Sequence, residues 1–301
     1  MSNWLANTVS GGGAAGVLAS GVLLPQKAKA AENNKPIAIL GASGRTGALC
    51  VMACLQRGIP VKALTRSGNW SPPDGSGIDN NPLLTVAECN VKDTSALSAS
   101  LKDCRGVIYA ASASKSGGNP EQIDNIGVVE AGKVCLSQSI ARYVVISSTA
   151  TTRPSSAGYI FTNMMVNGVM TQKRLGEVGV QEAYASSSSA SSYTIVRPGG
   201  LEEPKENKVL GPSALEISQG DVLAGIVSRA DLAEVSVELA LSKAANLKDT
   251  AVELYYTTSA VPVSKEFRST LSSGVAPRLH GDSYSQLFDG IRPDVDYYIK
   301  Q

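Results

Sequence analysis

Short apolar runs rich in Val, Ile and Leu alternate with longer stretches of helical spacing, starting near Lys35. This alternation is typical of a parallel sheet with helices on both faces. We predict strands at residues 37–40, 61–64, 84–89, 106–110, 143–146, 193–196 and 252–256. We predict helices at residues 46–57, 94–102, 125–137 and 164–184, and another that begins at Arg229. The pattern therefore predicts an α/β fold with a Rossmann-type, doubly wound parallel sheet.

The pattern loosens after about residue 150. Residues 186–192 are serine and alanine only, which favours a solvated loop, and the tail from residue 262 has no clear period. We expect residues 150–225, with the C-terminal tail, to form a small C-terminal substrate lobe. A chain of 301 residues can bury a core large enough for one domain, which we place at residues 35–301.

The first 34 residues differ from the rest of the chain. Residues 1–26 carry no charged side chain, and residues 11–24 form an apolar run rich in Gly and Ala. That run is shorter than the roughly 20 residues that a membrane-spanning helix needs. Ala28-Lys29-Ala30 resembles a signal-peptidase site, but no basic residue precedes the apolar run. We interpret residues 1–34 as a targeting remnant, a weak membrane tether or a flexible extension.

Composition and charge exclude several classes of partner. The net charge is +1 and the chain has three Phe and two Trp, so neither a basic patch nor a stacking platform for nucleic acid is indicated. The chain has one histidine, and none of its five cysteines forms a C-x-x-C pair, so we expect no metal site. Apolar residues at 43% are ordinary for a globular enzyme.

A glycine-rich motif, GASGRTG, directly follows the first predicted strand and opens the first predicted helix. The first glycine permits a tight turn, the second lets the backbone approach a pyrophosphate, and the third lets helix and strand pack closely. The N–H groups and the positive dipole end of the helix would then face the phosphates. The residues expected to bind a nicotinamide dinucleotide here are Gly41, Ser43, Gly44, Arg45, Thr46 and Gly47.

The form of the dinucleotide is predicted from a missing carboxylate. An NAD site usually has Asp or Glu about 20 residues after the glycines, where it binds the ribose 2′-OH. This chain has no acidic residue between Glu32 and Asp74, whereas Arg66 ends the second predicted strand and Arg45 lies in the glycine motif. Guanidinium groups suit a phosphate, so we expect the cofactor to be NADP(H).

Further cofactor contacts are expected where other strands end. Asparagine and valine follow the third strand, where adenine packs in such folds, and small residues follow the fourth strand beside the nicotinamide. A proline-glycine turn after the sixth strand would let the backbone come close to the cofactor. These expected contacts are Asn90, Val91, Ala110, Ala111, Ser112, Pro198 and Gly199. Asp124 and Asn125 are expected to cap the helix that follows them.

The order of several motifs resembles the atypical short-chain dehydrogenase/reductase proteins. The motifs are GASGRTG, ALTRS, VIYAAS, DNIGVVEAGK, YVVISS, KRLGE and YTIVRPGGL. They are most similar to the plastid NAD(P)-binding branch of algae and plants, including the dinucleotide domain of chloroplast import-associated redox proteins. The resemblance spans residues 36–258 and implies a plastid location, in the stroma or associated with thylakoids.

The resemblance also implies candidate catalytic residues. Family chemistry uses a tyrosine, a lysine four residues later and a serine after the fifth strand. Lys173 matches the lysine, which also contacts the nicotinamide ribose, and Ser147 matches the serine, with Ser148 as a neighbour. The tyrosine position is Val169. Tyr159 has nearly the usual spacing from Ser147, but its partner position, 163, is Asn.

Two functions of different class follow from this mixture. The first is an NADPH-dependent oxidoreductase that acts on an unknown small molecule, with Tyr159 reaching the site from a loop or with Lys173 alone as acid/base. The second is a cofactor-binding protein with weak or no turnover, serving as a redox-sensing or assembly subunit of a plastid membrane complex. The missing tyrosine and the apolar N-terminus favour the second, and Lys173 favours the first.

Overall fold

Apolar strands form the centre of the molecule in a computed structural model, which describes residues 34–202, 208–263 and 277–294. All side chains of the first and fourth strands are buried, as expected for parallel strands covered on both faces. The predictions for residues 1–33 lie outside the described residues. The main strands are β1 (Ile37–Leu40), β2 (Val61–Thr65), β3 (Leu84–Glu88), β4 (Gly106–Tyr109), β5 (Arg142–Ile146) and β6 (Ser192–Pro198).

Further strands follow β6 in the chain. These are β7 (Gly200–Glu202), β8 (Leu215–Ser218), β9 (Leu223–Ala224), β10 (Ile226–Ser228), β11 (Thr250–Tyr256), β12 (Val261–Pro262) and β13 (Arg278–Leu279). Of the described strands, nine form the central sheet in the order β13-β8-β11-β6-β5-β4-β1-β2-β3. β8 and β13 add to it in antiparallel pairings, and β11 pairs with β6 in parallel. The remaining strands form two small sheets, β7 with β10 and β9 with β12.

Helices cover both faces of the sheet. They are α1 (Arg45–Gln56), α2 (Thr94–Leu101), α3 (Gly127–Ser137), α4 (Ala157–Met165), α5 (Val169–Ala185), α6 (Arg229–Leu241) and α7 (Tyr284–Phe288). Core side chains of α1 and α6 pack on one face, and those of α2, α3 and α5 pack on the other. The predicted α/β fold with a Rossmann-type sheet is confirmed. None of the helices in the described ranges is both long and apolar enough to cross a membrane.

Two predicted element boundaries were wrong. The helix expected at 164–184 is broken into α4 and α5, because Asn167 (φ 42°) and Gly168 (φ 82°) adopt left-handed backbone. The helix expected from residue 125 begins earlier, with a π-helical turn at Glu121–Ile126 that continues into α3. The tail, for which no element was predicted, contributes β13 and α7.

Buried charges join α5 to the central strands. The Arg197 guanidinium on β6 bonds Glu177 on α5 at 2.8 Å and Glu253 on β11 at 3.2 Å, and all three side chains are buried. Burial alone would raise the pKa of Glu177, but Arg197, Ser147 and Arg174 together outweigh it, and the pKa lies below its usual value. Burial raises the pKa of Glu253 to about 7, with Arg197 offsetting part of the rise. Glu177 therefore stays ionised, whereas Glu253 gains its proton more readily.

The raised pKa of Glu253 makes a pH-dependent contribution to stability. Between about pH 4.5 and 7 the folded chain holds a proton on Glu253 that the unfolded chain has released, so this contribution decreases as pH rises. We expect the free energy of unfolding of the wild type to fall relative to Glu253→Gln by roughly 1.4 kcal/mol per pH unit in that window. Urea unfolding of both chains from pH 5 to 7 measures this, and a difference that does not change with pH would contradict it.

Candidate dinucleotide-binding and active site

The glycine turn lies at the carboxyl end of β1. Gly41 has φ 82°, and its N–H, like that of Ala42, donates to the Leu64 carbonyl at the end of β2. Gly44 donates to the Gly41 carbonyl at 2.9 Å and precedes the first residue of α1. Any helix leaves its first N–H groups without intrahelical partners, so the N-terminus of α1 presents donors to an anion at this turn.

Glycines 41 and 47 are required by close backbone approach. A Cβ at Gly41 would lie 2.6 Å from the Ala111 backbone, and a Cβ at Gly47 would lie 2.2 Å from the Gly41 carbonyl oxygen. Ser43, Gly44 and Arg45 on the same turn are exposed. The turn therefore has a tightly packed inner side and an open outer side. This geometry fits a pyrophosphate, which needs close access to the backbone.

The surface after β2 carries the predicted cation. Arg66 is exposed and follows the last residue of β2. Glu88, at the end of β3, lies beside the turn at Gly68. Its Cβ is 3.5 Å from where a Cβ added to Gly68 would stand. Sequence spacing missed this acidic neighbour because it belongs to the next strand. It also missed Trp70, whose buried indole N–H donates to the Ala42 carbonyl at 3.1 Å and supports the glycine turn.

The expected adenine contacts divide into one exposed and one buried residue. Asn90 is exposed, and its side-chain oxygen accepts from the Lys92 N–H. Val91 is 8% exposed and packs in the core under the sheet. Ala110 continues from β4, its N–H donating to the Leu40 carbonyl, and Ala111 contacts the glycine turn. The loops after β1 and β4 therefore meet where the strand order reverses, the position at which doubly wound sheets bind ligands.

Lys173 and Ser112 are brought together by Asp124. The Lys173 ammonium lies 2.8 Å from one carboxylate oxygen of Asp124, a side chain with no exposed surface. The Ser112 hydroxyl donates to the same oxygen at 2.6 Å, and the Ala113 N–H donates to the other at 2.9 Å. The expectation that Asp124 caps a helix was wrong, because the helix starts at Glu121 and the carboxylate points to another part of the fold.

The path of α5 allows this ion pair to form. Gly176, three residues after Lys173, lies against the π-helical turn, where a Cβ would stand 2.4 Å from the Asp124 carbonyl oxygen. A side chain at 176 would push α5 away from the turn that carries Asp124. The Asn125 amide donates to Gln172 at 3.0 Å and ties the same two elements together. Short π-helical segments are frequent at functional sites.

Residues 41–243 match the family model described as NAD(P)H-binding, and this match decides the family. The chain belongs to the NAD(P)H-binding family. The matched range begins at Gly41 and includes the Lys173–Asp124 pair and α6.

Relatives of this NAD(P)H-binding protein include chloroplastic and reductase proteins. An uncharacterised chloroplastic protein of Arabidopsis thaliana is 27% identical over 237 residues, covering 74% of this chain and 78% of the relative. Sanguinarine reductase of Eschscholzia californica is 28% identical over 247 residues, covering 69% and 85%. The chloroplastic protein TIC 62 of Pisum sativum is 24% identical over 233 residues, covering 72% of this chain but 42% of the relative. The resemblance to plastid NAD(P)-binding proteins is therefore confirmed.

Solved structures share the fold. An oxidoreductase of Lactococcus lactis has a TM-score of 0.58 at 16% identity, covering 79% of this chain and 97% of that one. A short-chain dehydrogenase/reductase of Veillonella parvula in complex with NADP has a TM-score of 0.54 at 16% identity, covering 74% and 95%. An anaerobilin reductase of Escherichia coli has a TM-score of 0.56 at 21% identity, covering 74% and 97%.

The hydroxyl groups predicted for catalysis are bonded elsewhere in the fold. The Ser147 hydroxyl donates to Glu177 at 2.6 Å and is buried, so it belongs to the charged network around Arg197. The Tyr159 hydroxyl lies 2.8 Å from the Thr171 hydroxyl and links α4 to α5. Ser148 donates to the Thr149 carbonyl. The structure thus joins neither Ser147 nor Tyr159 to Lys173 by a direct hydrogen bond.

Val169 and Asn163 occupy the two positions at which the tyrosine–lysine pair is incomplete. Val169 is the first residue of α5 and is 3% exposed, packed with Ala150 and Met170. The Asn163 side-chain oxygen accepts from the Met170 N–H at 2.9 Å, so it satisfies the N-terminus of α5. Both residues therefore have structural roles at the break between the helices.

The proline-glycine turn after β6 approaches another strand. A Cβ at Gly199 would lie 2.3 Å from the Gly225 carbonyl oxygen, and the Pro198 carbonyl accepts from the Thr149 N–H. Gly199 therefore lets the chain pack closely against the backbone before β10. The sequence predicted a close approach to the cofactor at this position instead. Pro198 and Gly199 are both buried.

Asp221 holds the loop after β5, a role that no sequence motif predicts. Its buried carboxylate accepts from the Ala150 N–H at 2.9 Å and the Thr152 hydroxyl at 2.8 Å, and it pairs with Arg153 at 3.0 Å. Burial would raise the pKa of Asp221, but Arg153 and Arg197 hold it below its usual value. The loop after β5 is fixed by this charge. Its partners lie about 70 residues away in the chain, so no local motif signals it.

The contact between Gly41 and Ala111 gives a test of the turn. Gly41→Ala combines a left-handed φ with a backbone clash, whereas Gly58→Ala has φ 67° and nothing within 4 Å of the added Cβ. We expect Gly58→Ala to lower the free energy of unfolding by about 1–2 kcal/mol, from backbone strain alone. Gly41→Ala should cost clearly more and should abolish binding of the nicotinamide dinucleotide. Urea unfolding and calorimetric titration measure both; equal losses in the two variants, with binding retained, would show that the turn is not constrained as described.

Proposed function

We propose that this chain is an NADP(H)-dependent oxidoreductase of the atypical short-chain dehydrogenase/reductase type that acts in the plastid on a small molecule. The observation that carries the proposal is the Lys173–Asp124 ion pair. It lies beside the loop that follows β4, and that loop contacts the glycine turn. A cation at this position suits the nicotinamide ribose, as the family resemblance implies. The sanguinarine reductase relative and several chloroplastic relatives support the same class and location.

Each part of the cofactor has candidate partners. The turn of Gly41, Ser43, Gly44, Thr46 and Gly47 would receive the pyrophosphate at the N-terminus of α1. Arg66 would pair with the 2′-phosphate, with Arg45 as a second guanidinium. Asn90 would flank the adenine, with the buried Val91 in the core behind it, and Ala110, Ala111 and Ser112 would line the path to the nicotinamide. When bound, the cofactor supplies the hydride.

The state of the hydroxyl groups limits the acceptor. Protonation of a developing alkoxide by a positioned group contributes roughly 10²–10⁴-fold in rate. Here Ser147 is bonded to Glu177 and Tyr159 to Thr171, and the Lys173 ammonium is held by Asp124. We therefore propose an acceptor that takes a hydride without simultaneous protonation by the protein, such as a ring cation or an extensively conjugated ring. Ordinary aldehydes and quinones are poor candidates.

A second function remains supported by the same observations. Val169 is buried where the family places its tyrosine, and TIC 62 proteins are among the relatives. A protein that binds NADP(H) with weak or no turnover, as a redox-sensing or assembly subunit of a plastid membrane complex, would need the cofactor site but no acid. Both functions require NADP(H) binding, but only the first requires turnover of a substrate.

Cofactor preference is expected to depend on the arginines. NADPH should bind more tightly than NADH, because Arg66 and Arg45 can pair with the 2′-phosphate. Arg66→Ala together with Arg45→Ala should remove the preference, at a cost of about 1.5–3 kcal/mol for each lost charge-assisted bond. Calorimetric titration of both cofactors into both chains measures this. Equal affinity of the wild type for the two cofactors would refute the 2′-phosphate assignment.

Turnover is expected to be weak on ordinary carbonyl compounds. NADPH oxidation over a panel of aldehydes, quinones and aromatic ring cations should be slow for the first two groups and fastest for the cations. Tyr159→Phe should leave the rate nearly unchanged, and Lys173→Ala should reduce it through cofactor binding. Robust aldehyde reduction that disappears in Tyr159→Phe would instead identify the tyrosine as the acid. No oxidation of NADPH with any compound, while binding is intact, favours the second function.

A further inference from the structure

Asp124 carries a buried charge that the proposed chemistry does not itself use. Its carboxylate has no exposed surface and accepts from Lys173, Ser112 and Ala113. These partners belong to two elements that are distant in sequence, the loop after β4 and helix α5. A buried carboxylate that loses its cation is strongly disfavoured, so the positions of the Lys173 ammonium and the Asp124 carboxylate depend on each other.

The lysine side chain needs such a partner to have a defined position. Lysine has a flexible four-carbon stem and an ammonium with three donors, so an unpaired head samples many positions. The Asp124 contact fixes the Lys173 head, which keeps donor capacity for a second partner, and the lysine side chain as a whole is 13% exposed. The same carboxylate holds the turn at Ser112–Ala113, next to Ala111, which contacts Gly41. One carboxylate therefore sets the relative placement of the lysine and the glycine turn.

We infer that Asp124 is a positioning residue for the nicotinamide half of the cofactor, acting through Lys173 and the Ser112–Ala113 turn. The inference rests on the proposed NADP(H) site. It assigns a specific consequence to the ion pair: Asp124 contributes to the binding of the nicotinamide ribose and contributes nothing to the binding of the adenosine half, which lies at β2 and β3.

The test compares two ligands on four chains. The ligands are NADPH and adenosine 2′,5′-bisphosphate, which carries the adenosine and 2′-phosphate but no nicotinamide. The chains are the wild type, Asp124→Asn, Lys173→Gln and the double variant, titrated by calorimetry. Asparagine keeps the shape of the side chain and an acceptor for Ala113 but removes the charge.

We expect Asp124→Asn to weaken NADPH binding about tenfold, as the loss of one charge-assisted bond predicts, with adenosine 2′,5′-bisphosphate affected less than about twofold. Lys173→Gln should give the same pattern, and Asp124→Asn should add little in the Lys173→Gln background, because the two side chains act as a unit. A purely structural role would weaken both ligands equally, and that result overturns the inference. Unchanged NADPH affinity in Asp124→Asn, or additive effects of the two substitutions, overturns it as well.

Failure of the proposed site and failure of the inference give different results. If the wild type binds NADPH no more tightly than it binds the bisphosphate, both the proposed site and the inference are contradicted. Intact NADPH binding in all four chains contradicts only the inference. If the Asp124→Asn chain does not fold, the double variant must fold and bind the bisphosphate like the wild type, since both buried charges are then removed. A double variant that also unfolds shows that Asp124 serves the fold, and overturns the inference.

Discussion

The loop after β1 lies against the loop after β4 so closely that the α-carbon of residue 41 can carry no side chain. A Cβ there would stand 2.6 Å from the backbone of Ala111. The contact occurs where the strand order reverses, so it shapes the crevice at the carboxyl ends of the strands, the position at which doubly wound sheets bind ligands. It also sets the direction of α1. The Ala42 N–H donates to the Leu64 carbonyl, and α1 starts three residues later at Arg45. From this contact, the Ser112–Ala113 turn leads through Asp124 to α5, so the two sides of the crevice are placed by a short series of bonds.

Two groups of charged side chains lie near the crevice. The network around Arg197 is fully buried, whereas the Lys173–Asp124 pair is partly exposed at the lysine. Arg197 lies between Glu177 and Glu253 beneath the carboxyl ends of the strands, and the Ser147 hydroxyl completes that network. Asp221 holds the loop after β5 in the same way. These charges are balanced by their neighbours and support the backbone. Lys173 differs, because its partner Asp124 is fully buried while the lysine side chain is partly exposed. A fixed cation suits binding and orientation better than proton transfer when the candidate hydroxyls of Ser147 and Tyr159 are bonded to other residues.

The fold could be predicted from the sequence more completely than the site. Strands such as β1 and β4 are continuous apolar runs between turn residues, and the glycine motif has a defined place after the first of them, so local pattern was sufficient. The break at Asn167–Gly168 was missed because helical spacing continues across it, and only the left-handed backbone ends the helix. The rule for caps considers only local sequence and so predicts a cap at Asp124, whereas its partner Lys173 is 49 residues further along the chain. Ser147 and Tyr159 were candidates by spacing, which says nothing of which neighbour a hydroxyl will bond.

The break between α4 and α5 determines what a tyrosine at position 169 would contact. Val169 is the first residue of α5, follows two left-handed residues and is packed against Ala150 and Met170. A tyrosine ring at 169 would enter that small cluster, where an enlarged side chain is tolerated poorly, instead of the crevice. For the ring to face the crevice, the backbone across residues 166–168 would have to change and Asn163 would have to leave the N-terminus of α5. Adding a tyrosine to this chain at 169 therefore requires a change of backbone as well as of side chain.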